Sequence, residues 1–258
     1  MEQVLASIIY NSEVVPGVYL IWLESAQIAS QAKPGQFAMV RCGKGAEYPL
    51  RRPLSIHRLD NNKLAFLFTI IGKGTHWLAQ RQAGTNIDLL GPLGNGYTVQ
   101  PGSRKLLLLA GGIGIAPLCF LAEKAINQGC SVTLLLGAST ATQLYPRHLL
   151  PAQAELVITT EDGTAGREGM ITDFVHDFVG QADQIFACGP ASMYQTMAAQ
   201  KQQLKGKPVQ ISLEMRMGCG LGVCYGCTVK TKNGLKQVCK DGPVFNLDDI
   251  LWDEFAQV

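Results

Sequence analysis

The sequence is short of charge and of histidine. Only 16% of its residues are Asp, Glu, Lys or Arg, and they nearly cancel, leaving a formal net charge of +2. So slight an imbalance argues against a surface that holds nucleic acid or an anionic membrane by electrostatics. Long apolar runs are missing as well. The longest, around Leu106–Ala110, falls far short of the ~20 residues that span a bilayer and reads as a buried strand. The opening MEQVLASIIYNSEVVPG has no basic stretch followed by an apolar one, so no signal peptide is expected and a cytoplasmic location is. The four histidines, His57, His76, His148 and His176, lie far apart and read as solvated or core residues. No catalytic acid–base constellation is visible, so no catalytic side chain is expected. Internal repeats and low-complexity tracts are also lacking. What remains is 47% hydrophobic, with 28 Gly and 12 Pro in 258 residues, a globular composition long enough for two domains and a small appendage.

Cysteine is present but unevenly spread. Cys42, Cys119 and Cys130 stand singly among apolar neighbours and read as buried thiols. Cys219, Cys224, Cys227 and Cys239 instead form a C-x4-C-x2-C-x11-C array in glycine-rich sequence. The first three follow the spacing by which plant-type ferredoxins hold a 2Fe-2S cluster, with a fourth thiolate supplied from further along. Gly218, Gly220, Gly222 and Gly226 free the loop to adopt the positive φ that wrapping a cluster requires, and to aim N–H groups at sulfur. Structural zinc is the alternative, but its sites typically present two separated CxxC pairs, and here there is one. A cluster of this kind carries single electrons, which frames the function as electron transfer.

Two other regimes precede the array. Up to about residue 100 the pattern is of short strands: Val18–Leu23, Phe37–Arg41, Pro53–His57, Lys63–Ile71 and Asn86–Leu90. Turns fall between them at Pro34-Gly35, Asp60-Asn61-Asn62 and Gly91–Gly96, and one short helix is expected at Thr75–Arg81. That spacing indicates a barrel or sandwich. From Lys105 apolar strands (Lys105–Ala110, Ser131–Gly137, Glu155–Thr160, Asp183–Cys188, Val209–Leu213) alternate with helices near Pro117–Gln128, Ile171–Val179 and Ala191–Gln203. Alternation of this kind means a parallel sheet covered on both faces. The boundaries predicted are 1–100, 101–213 and 214–258.

Each half carries a nucleotide-like motif. In Arg51-Arg52-Pro53-Leu54-Ser55-Ile56 an arginine beside a strand can pair with pyrophosphate, and the serine hydroxyl can meet a planar ring. Ile71-Gly72-Lys73-Gly74-Thr75 opens a helix, where backbone N–H groups can approach phosphate. Alone, each is more often a plain strand edge or turn. Ala110-Gly-Gly-Ile-Gly-Ile-Ala-Pro117 lies between strand and helix; Gly111, Gly112 and Gly114 would let a dinucleotide approach, although the pattern is not G-x-G-x-x-G. Cys188-Gly189-Pro190 ends a strand, on the side where ligands of open α/β sheets bind. Gly137–Leu144 lacks Arg and Lys, which favours NAD over NADP unless folding delivers Arg147 or Arg167 to the site.

The order R-x-x-S, G-x-G-T, G-P-x-G, A-G-G-x-G-x-A-P and C-G-P resembles the ferredoxin–NAD(P) reductase superfamily, over essentially the whole chain. The cysteine array, with Val238-Cys-Lys-Asp-Gly-Pro-Val-Phe245, narrows the resemblance to electron-transfer subunits of NAD-dependent (class 1B) dihydroorotate dehydrogenases. The fold this implies is a Greek-key FAD-binding β-barrel, a parallel α/β NAD-binding domain and a small C-terminal 2Fe-2S segment. The resemblance implies that Arg52, with Pro53, Leu54 and Ser55, holds FAD, Ser55 lying near the isoalloxazine. Leu67, Phe68 and Thr69 would line the flavin, and Gly74 and Thr75 would receive the pyrophosphate. Many relatives carry Tyr where Leu54 stands; leucine can cover a flavin face but cannot stack on it. Gly111, Gly112, Gly114, Cys188, Gly189 and Pro190 would meet NAD, Cys188 either beside the nicotinamide or as a buried thiol. The implied partner is an FMN-containing dihydroorotate dehydrogenase catalytic subunit, in a heterotetramer with two copies of each chain, acting in pyrimidine (UMP) biosynthesis. Met215, Met217, Leu221, Val223 and Tyr225 would face that partner or seal the cluster. The nearer alternative is a diaphorase subunit of a transhydrogenase, sulfide dehydrogenase or hydrogenase. Transhydrogenase small subunits of similar sequence carry Asp at the position of Cys219. The distant alternative is a non-catalytic zinc-binding module.

Overall fold

The computed structural model describes residues 1–43, 45 and 47–255. The first six strands, β1 (Glu2–Val15), β2 (Val18–Glu24), β3 (Phe37–Val40), β4 (Arg52–Asp60), β5 (Lys63–Thr69) and β6 (Asn86–Leu93), close into a barrel in the order β1-β2-β5-β4-β3-β6. After the consecutive neighbours β3, β4 and β5, the chain returns to lay β6 beside β3, which is a Greek key. Two short helices, α1 (Ala26–Ala29) and α2 (Lys73–Ala79), sit in its connections. The interior is filled by inward residues such as Ile21, Leu23, Ile56, Leu64 and Phe66, each 0–1% exposed.

Two barrel features depart from expectation. Strand β1 was not foreseen. It pairs with β6 through Glu2–Ser7 and with β2 through Ser7–Val15, with register shifts at Ile8/Tyr10 and Glu13/Val15. Each shift resets which face a side chain takes, so the alternation that reveals a strand is scrambled. The turn expected at Gly91–Gly96 starts later, because β6 runs on through Leu93. Gly94 (φ +72) then makes the turn, and Gly96 lies so close to Pro34 that a Cβ would stand 2.1 Å from its carbonyl oxygen.

The second unit is a seven-stranded sheet. Its strands are β7 (Lys105–Gly111), β8 (Ser131–Ala138), β9 (Glu155–Thr160), β10 (Arg167–Glu168), β11 (Gln184–Cys188), β12 (Val209–Ser212) and, from the far C-terminal segment, β15 (Val244–Asn246). The order is β10-β9-β8-β7-β11-β12-β15, parallel except for β15, which runs antiparallel to β12. That strand was not expected, since it is only three residues long and follows the cysteines. The sheet grows from β7 in both directions, so the β7–β11 boundary is its topological switch point. Leu106–Ala110 are at most 2% exposed, as a strand covered on both faces must be. Helix α3 (Ile115–Asn127) is buried on nearly all sides because it lies between this sheet and the barrel; Phe120 joins the barrel core while Leu118 and Leu121 join the sheet core. Helices α4 (Val175–Val179) and α5 (Ala191–Ala199) are shorter than the periodicity suggested, each being flanked by a single 3-10 turn.

The cysteine segment adds a hairpin, β13 (Thr228–Thr231) with β14 (Gly234–Gln237), and a one-turn helix, α6 (Val238–Asp241). It is bound to both units. The Asn95 N–H donates to Gly242 O at 2.5 Å, its side-chain amide donates to the carbonyls of Lys240 and Asp241, and Leu213 N–H donates to Pro243 O.

Candidate functional site

The two arginines that begin β4 have different fates. Arg51 is committed: its guanidinium pairs with Asp88 at 2.8 Å and also donates to the carbonyls of Met39 and Asp88. Arg52 pairs with no carboxylate among the described residues and donates only to the Leu50 and Arg51 carbonyls. It lies across Gly74, where a Cβ would come within 2.7 Å of its Nε. Thus R-x-x-S and G-x-G-T, separated in sequence, meet at one point. The Thr75 hydroxyl accepts from the N–H groups of Ile71 and Gly72 and donates to Gly72 O, so it is spent on shaping the loop. The first turn of α2 leaves N–H groups with no intrahelical partner beside the unpaired guanidinium. An arginine with no anion of its own, laid on a glycine at such a turn, is a donor set that fits a dinucleotide pyrophosphate.

Along β4 and β5 the residues alternate. Pro53 and Ser55 are half-buried, while Leu54 leans on the barrel core. Leu67 belongs to the cluster shared with the second unit, whereas Phe68 points into the barrel and stacks on Tyr19 with centroids 5.9 Å apart. Leu67 and Thr69 therefore share a face that Phe68 does not; Phe68 can meet a ligand on that face only through its backbone.

The nucleotide motifs come together at the switch point. Cys188 is directly opposite Ala110 in the β7–β11 register, which lays the C-G-P turn against the glycine turn. At Gly114 a Cβ would stand 1.9 Å from the Cys188 carbonyl oxygen, and at Gly111 it would touch Pro190 at 3.1 Å. Gly112, at φ +54, faces open space instead. Gly189 N–H donates to the Tyr194 hydroxyl, which in turn donates to Ser212 O at 2.7 Å, pinning the turn from behind. Burial, with the Glu214 carboxylate nearby, pushes the Cys188 thiol up to about 12. Cys188 is therefore a neutral thiol and not a nucleophile. The glycine turn packs beside β5, and α3 packs on β4. The crevice accordingly opens next to the strands that carry Ser55 and Leu67. At the end of β8, Ser139 donates to the Glu161 carboxylate at 2.9 Å, and Arg167 is occupied by Asp177. A carboxylate in that position opposes a 2′-phosphate, in line with NAD.

The four late cysteines form two thiol pairs, Cys219 with Cys224 and Cys227 with Cys239. Cys239 also feels the charge of Cys219, so all four thiols lie in one loop, a donor set that fits a 2Fe-2S cluster. Backbone N–H groups converge on the sulfurs: Leu221 on Cys219 at 3.3 Å, Gly222 on Cys239 at 3.1 Å and Cys239 on Cys227 at 3.4 Å. Desolvation opposes ionisation of Cys219, but N–H donors from Leu221, Cys224 and Val223 outweigh it and bring the thiol down to about 6. Burial first, and the neighbouring Cys227 second, push the Cys239 thiol up to about 12. The loop takes positive φ at Gly220, Gly222 and Tyr225, not at Gly218 or Gly226. The latter two serve differently, each leaving ordinary contact distance to Cys224 Sγ.

Two features escaped the sequence. Gly220 lies on Met39, with a Cβ position 2.5 Å from its Cγ, and Met39 pairs across β3–β4 with Pro53. The cysteine loop is therefore seated one strand away from the R-P-L-S motif. His57 is buried and joins the two main units, as expected of a core residue but with a role no motif announced. The apolar residues around the cysteines divide: Met217 is 9% exposed and seals the loop, whereas Leu221, Val223 and Tyr225 are 41%, 70% and 66% exposed.

Residues 214–251 match the iron–sulfur cluster binding domain of dihydroorotate dehydrogenase B. Over 249 residues the chain is 37% identical to the dihydroorotate dehydrogenase B (NAD(+)) electron transfer subunit of Desulforamulus reducens, covering 93% of this chain and 95% of that protein. The chain belongs to this family of electron transfer subunits. The Clostridium acetobutylicum member of the family is also 37% identical, over 235 residues, with 91% of this chain and 92% of that protein covered. A solved NADH-dependent reduced ferredoxin–NADP oxidoreductase, studied for flavin-based electron bifurcation, matches with a TM-score of 0.86 at 29% identity, over 97% of this chain and 91% of the other. The family's ferredoxin-reductase-like fold and its cluster domain correspond to the barrel, the sheet and the cysteine segment described above.

Proposed function

We propose that the chain is the electron-transfer subunit of a dihydroorotate dehydrogenase in pyrimidine biosynthesis, using FAD, a 2Fe-2S cluster and NAD. The observation that carries the reading is convergence: the pyrophosphate cradle at Arg52 and Gly74, the glycine crevice at Gly114 and the cysteine loop on Met39 all adjoin the β3–β4–β5 face. When bound, the flavin and the cluster supply exchange between a hydride pair and single electrons. The protein's part is to hold, orient and insulate.

Arg52 would grip the FAD pyrophosphate, with Gly74 and Thr75 keeping the turn open to it. Pro53 and Ser55, with Leu67, Thr69 and the backbone at Leu54 and Phe68, would border the isoalloxazine. Gly111, Gly112 and Gly114, with Cys188, Gly189 and Pro190, would hold NAD at the switch point. Cys219, Cys224, Cys227 and Cys239 would ligate the cluster, and Met217 would exclude water beneath it. No described side chain need move a proton. The work divides among residues 1–100 for FAD, 101–213 for NAD and 214–258 for the cluster.

The exposed Leu221, Val223 and Tyr225 beside the ligands form an apolar patch suited to a redox partner. We assign that partner as an FMN-containing dihydroorotate dehydrogenase catalytic subunit, in a heterotetramer with two of each chain in the cytoplasm. Among the described residues no helix is long and apolar enough to cross a membrane. The test is reconstitution. The purified chain, mixed with the catalytic subunit, should reduce NAD+ at the expense of dihydroorotate, and each chain alone should not. Failure of the mixture, with NADH–acceptor activity intact, would favour a diaphorase serving another enzyme.

A further inference from the structure

We propose that His57 is a positioning residue that fixes the nicotinamide crevice against the flavin strand, acting with Tyr145 and the Arg58–Glu123 ion pair. The inference rests on the assignment of those two sites above.

His57 is fully buried and stands at the β4 register shift between Ile56 and Arg58, two residues beyond Ser55. A shift there turns the side chain out of the barrel and into the second unit. Its Nδ1 lies 2.8 Å from the carbonyl of Ala116, in the first turn of α3 and two residues beyond Gly114. Its Nε2 lies 2.9 Å from the Tyr145 hydroxyl, and the rings meet edge to face with centroids 5.5 Å apart. A carbonyl can only accept, so Nδ1 carries the proton, Nε2 accepts, and the tyrosine donates. Every polar atom of this neutral imidazole is used. One side chain thus spans from the strand of Ser55 to the helix turn that follows the glycine loop.

The neighbours reinforce the direction of this tie. Arg58 pairs with Glu123 on the same helix and donates to Leu149 O at 3.3 Å, beyond Tyr145 on the adjoining loop. Phe120 enters the barrel core one helical turn after Ala116. Apolar packing supplies adhesion and steric fit, but no atom-to-atom directional preference. Hydrogen bonds to a fixed carbonyl and a fixed hydroxyl set register as well as contact. Adhesion needs no buried histidine, and a leucine would supply it more simply. Hydride transfer has a stricter demand, since misplacement of about 1 Å costs on the order of 100-fold in rate.

The experiment uses the full chain carrying FAD and cluster, and follows flavin reduction by NADH in a single turnover. His57→Leu removes both hydrogen bonds, His57→Asn keeps a donor for Ala116, and Tyr145→Phe removes only the hydroxyl. The expected result is a fall of roughly 10- to 100-fold in the flavin-reduction rate for His57→Leu. NADH affinity, flavin content and cluster absorbance should stay within about twofold of the parent protein. His57→Asn should recover most of the rate, and Tyr145→Phe should lose several-fold while folding normally. Unchanged reduction rates in Tyr145→Phe and His57→Leu would overturn the proposal, as would a loss that follows flavin content alone. If the parent chain itself retains no flavin, or its flavin is not reduced by NADH, the underlying site assignment falls and takes this inference with it.

Discussion

Substituting alanine at Gly114 and, separately, at Gly112 tests whether the crevice is read correctly. At Gly114 the backbone is ordinary helix, φ −58, so strain is not the issue. The added Cβ would stand 1.9 Å from Cys188 O, 2.3 Å from its carbonyl carbon and 2.9 Å from Gly189 N. Since real Cβ atoms essentially never come closer than 3.0 Å to such neighbours, the two turns must part by at least about 1 Å. Both sides are backbone, anchored by the β7–β11 ladder from Gln184–Leu106 to Cys188–Ala110, so no rotamer change can absorb the shift. Overpacking of this kind costs about 1–3 kcal/mol. Because the displaced atoms form the crevice, the NADH–flavin reaction should fall about 100-fold. At Gly112 the opposite holds. The space is open but φ is +54, so alanine costs about 1–2 kcal/mol of backbone strain and moves nothing else. The assay is NADH-dependent ferricyanide reduction by FAD-loaded protein, paired with thermal unfolding. Gly112→Ala should shift the midpoint by a few degrees, at about 2–4 °C per kcal/mol, and raise the KM for NADH, its Cβ entering the space assigned to NAD, while keeping most of the rate at saturating NADH. Equal activities in the two variants would refute the packing argument.

Arg52→Ala should cost at least tenfold in FAD retention, measured by equilibrium dialysis, by removing the charge aimed at the pyrophosphate. Gly74→Ala should do nearly the same through displacement, because the atom it meets is the end of the flexible Arg52 side chain; its unfolding midpoint should barely change. Burial pulls His57 from 6.5 to about 4; the hydrogen bond to Ala116 opposes it, and the Arg58 charge adds a smaller push downward. Below pH 6.5 the unfolded chain therefore binds a proton that the folded chain refuses, so stability falls as pH drops from 6.5 to 4, by about 3 kcal/mol in all. Urea midpoints of the parent minus His57→Asn should trace that window, and a flat difference would contradict the buried neutral imidazole. Cys239→Ala should abolish cluster absorbance while leaving FAD bound, because the hydrogen bonds of Cys239, with Gly222 and Cys227, stay within the cysteine segment.

Much of the architecture was legible because its signals are local. The run Lys105–Ala110 could only be a strand covered on both faces, and the glycines after it could only be a close turn. The cysteine spacing carried its chemistry in four residues. What stayed hidden depends on register or on distant contact. The 14-residue β1 was masked by two register shifts, and β15 by its three-residue length. Phe68 looked like its neighbours Leu67 and Thr69 until alternation on β5 turned its ring into the barrel. Met39 is just another apolar strand residue until Gly220 is found resting on it. His57 had no partner within reach in sequence, since Ala116 and Tyr145 lie 59 and 88 residues away.

The central claim is that the paired thiols Cys219/Cys224 and Cys227/Cys239 hold two bridged irons within electron-transfer reach of a flavin on β4. The decisive measurement is iron and acid-labile sulfide content per flavin in protein purified without oxygen. About two irons and two sulfides per FAD are predicted, with cluster absorbance bleached on adding NADH. A chain that binds zinc in their place, or that takes up no iron and sulfide on reconstitution, would contradict the account.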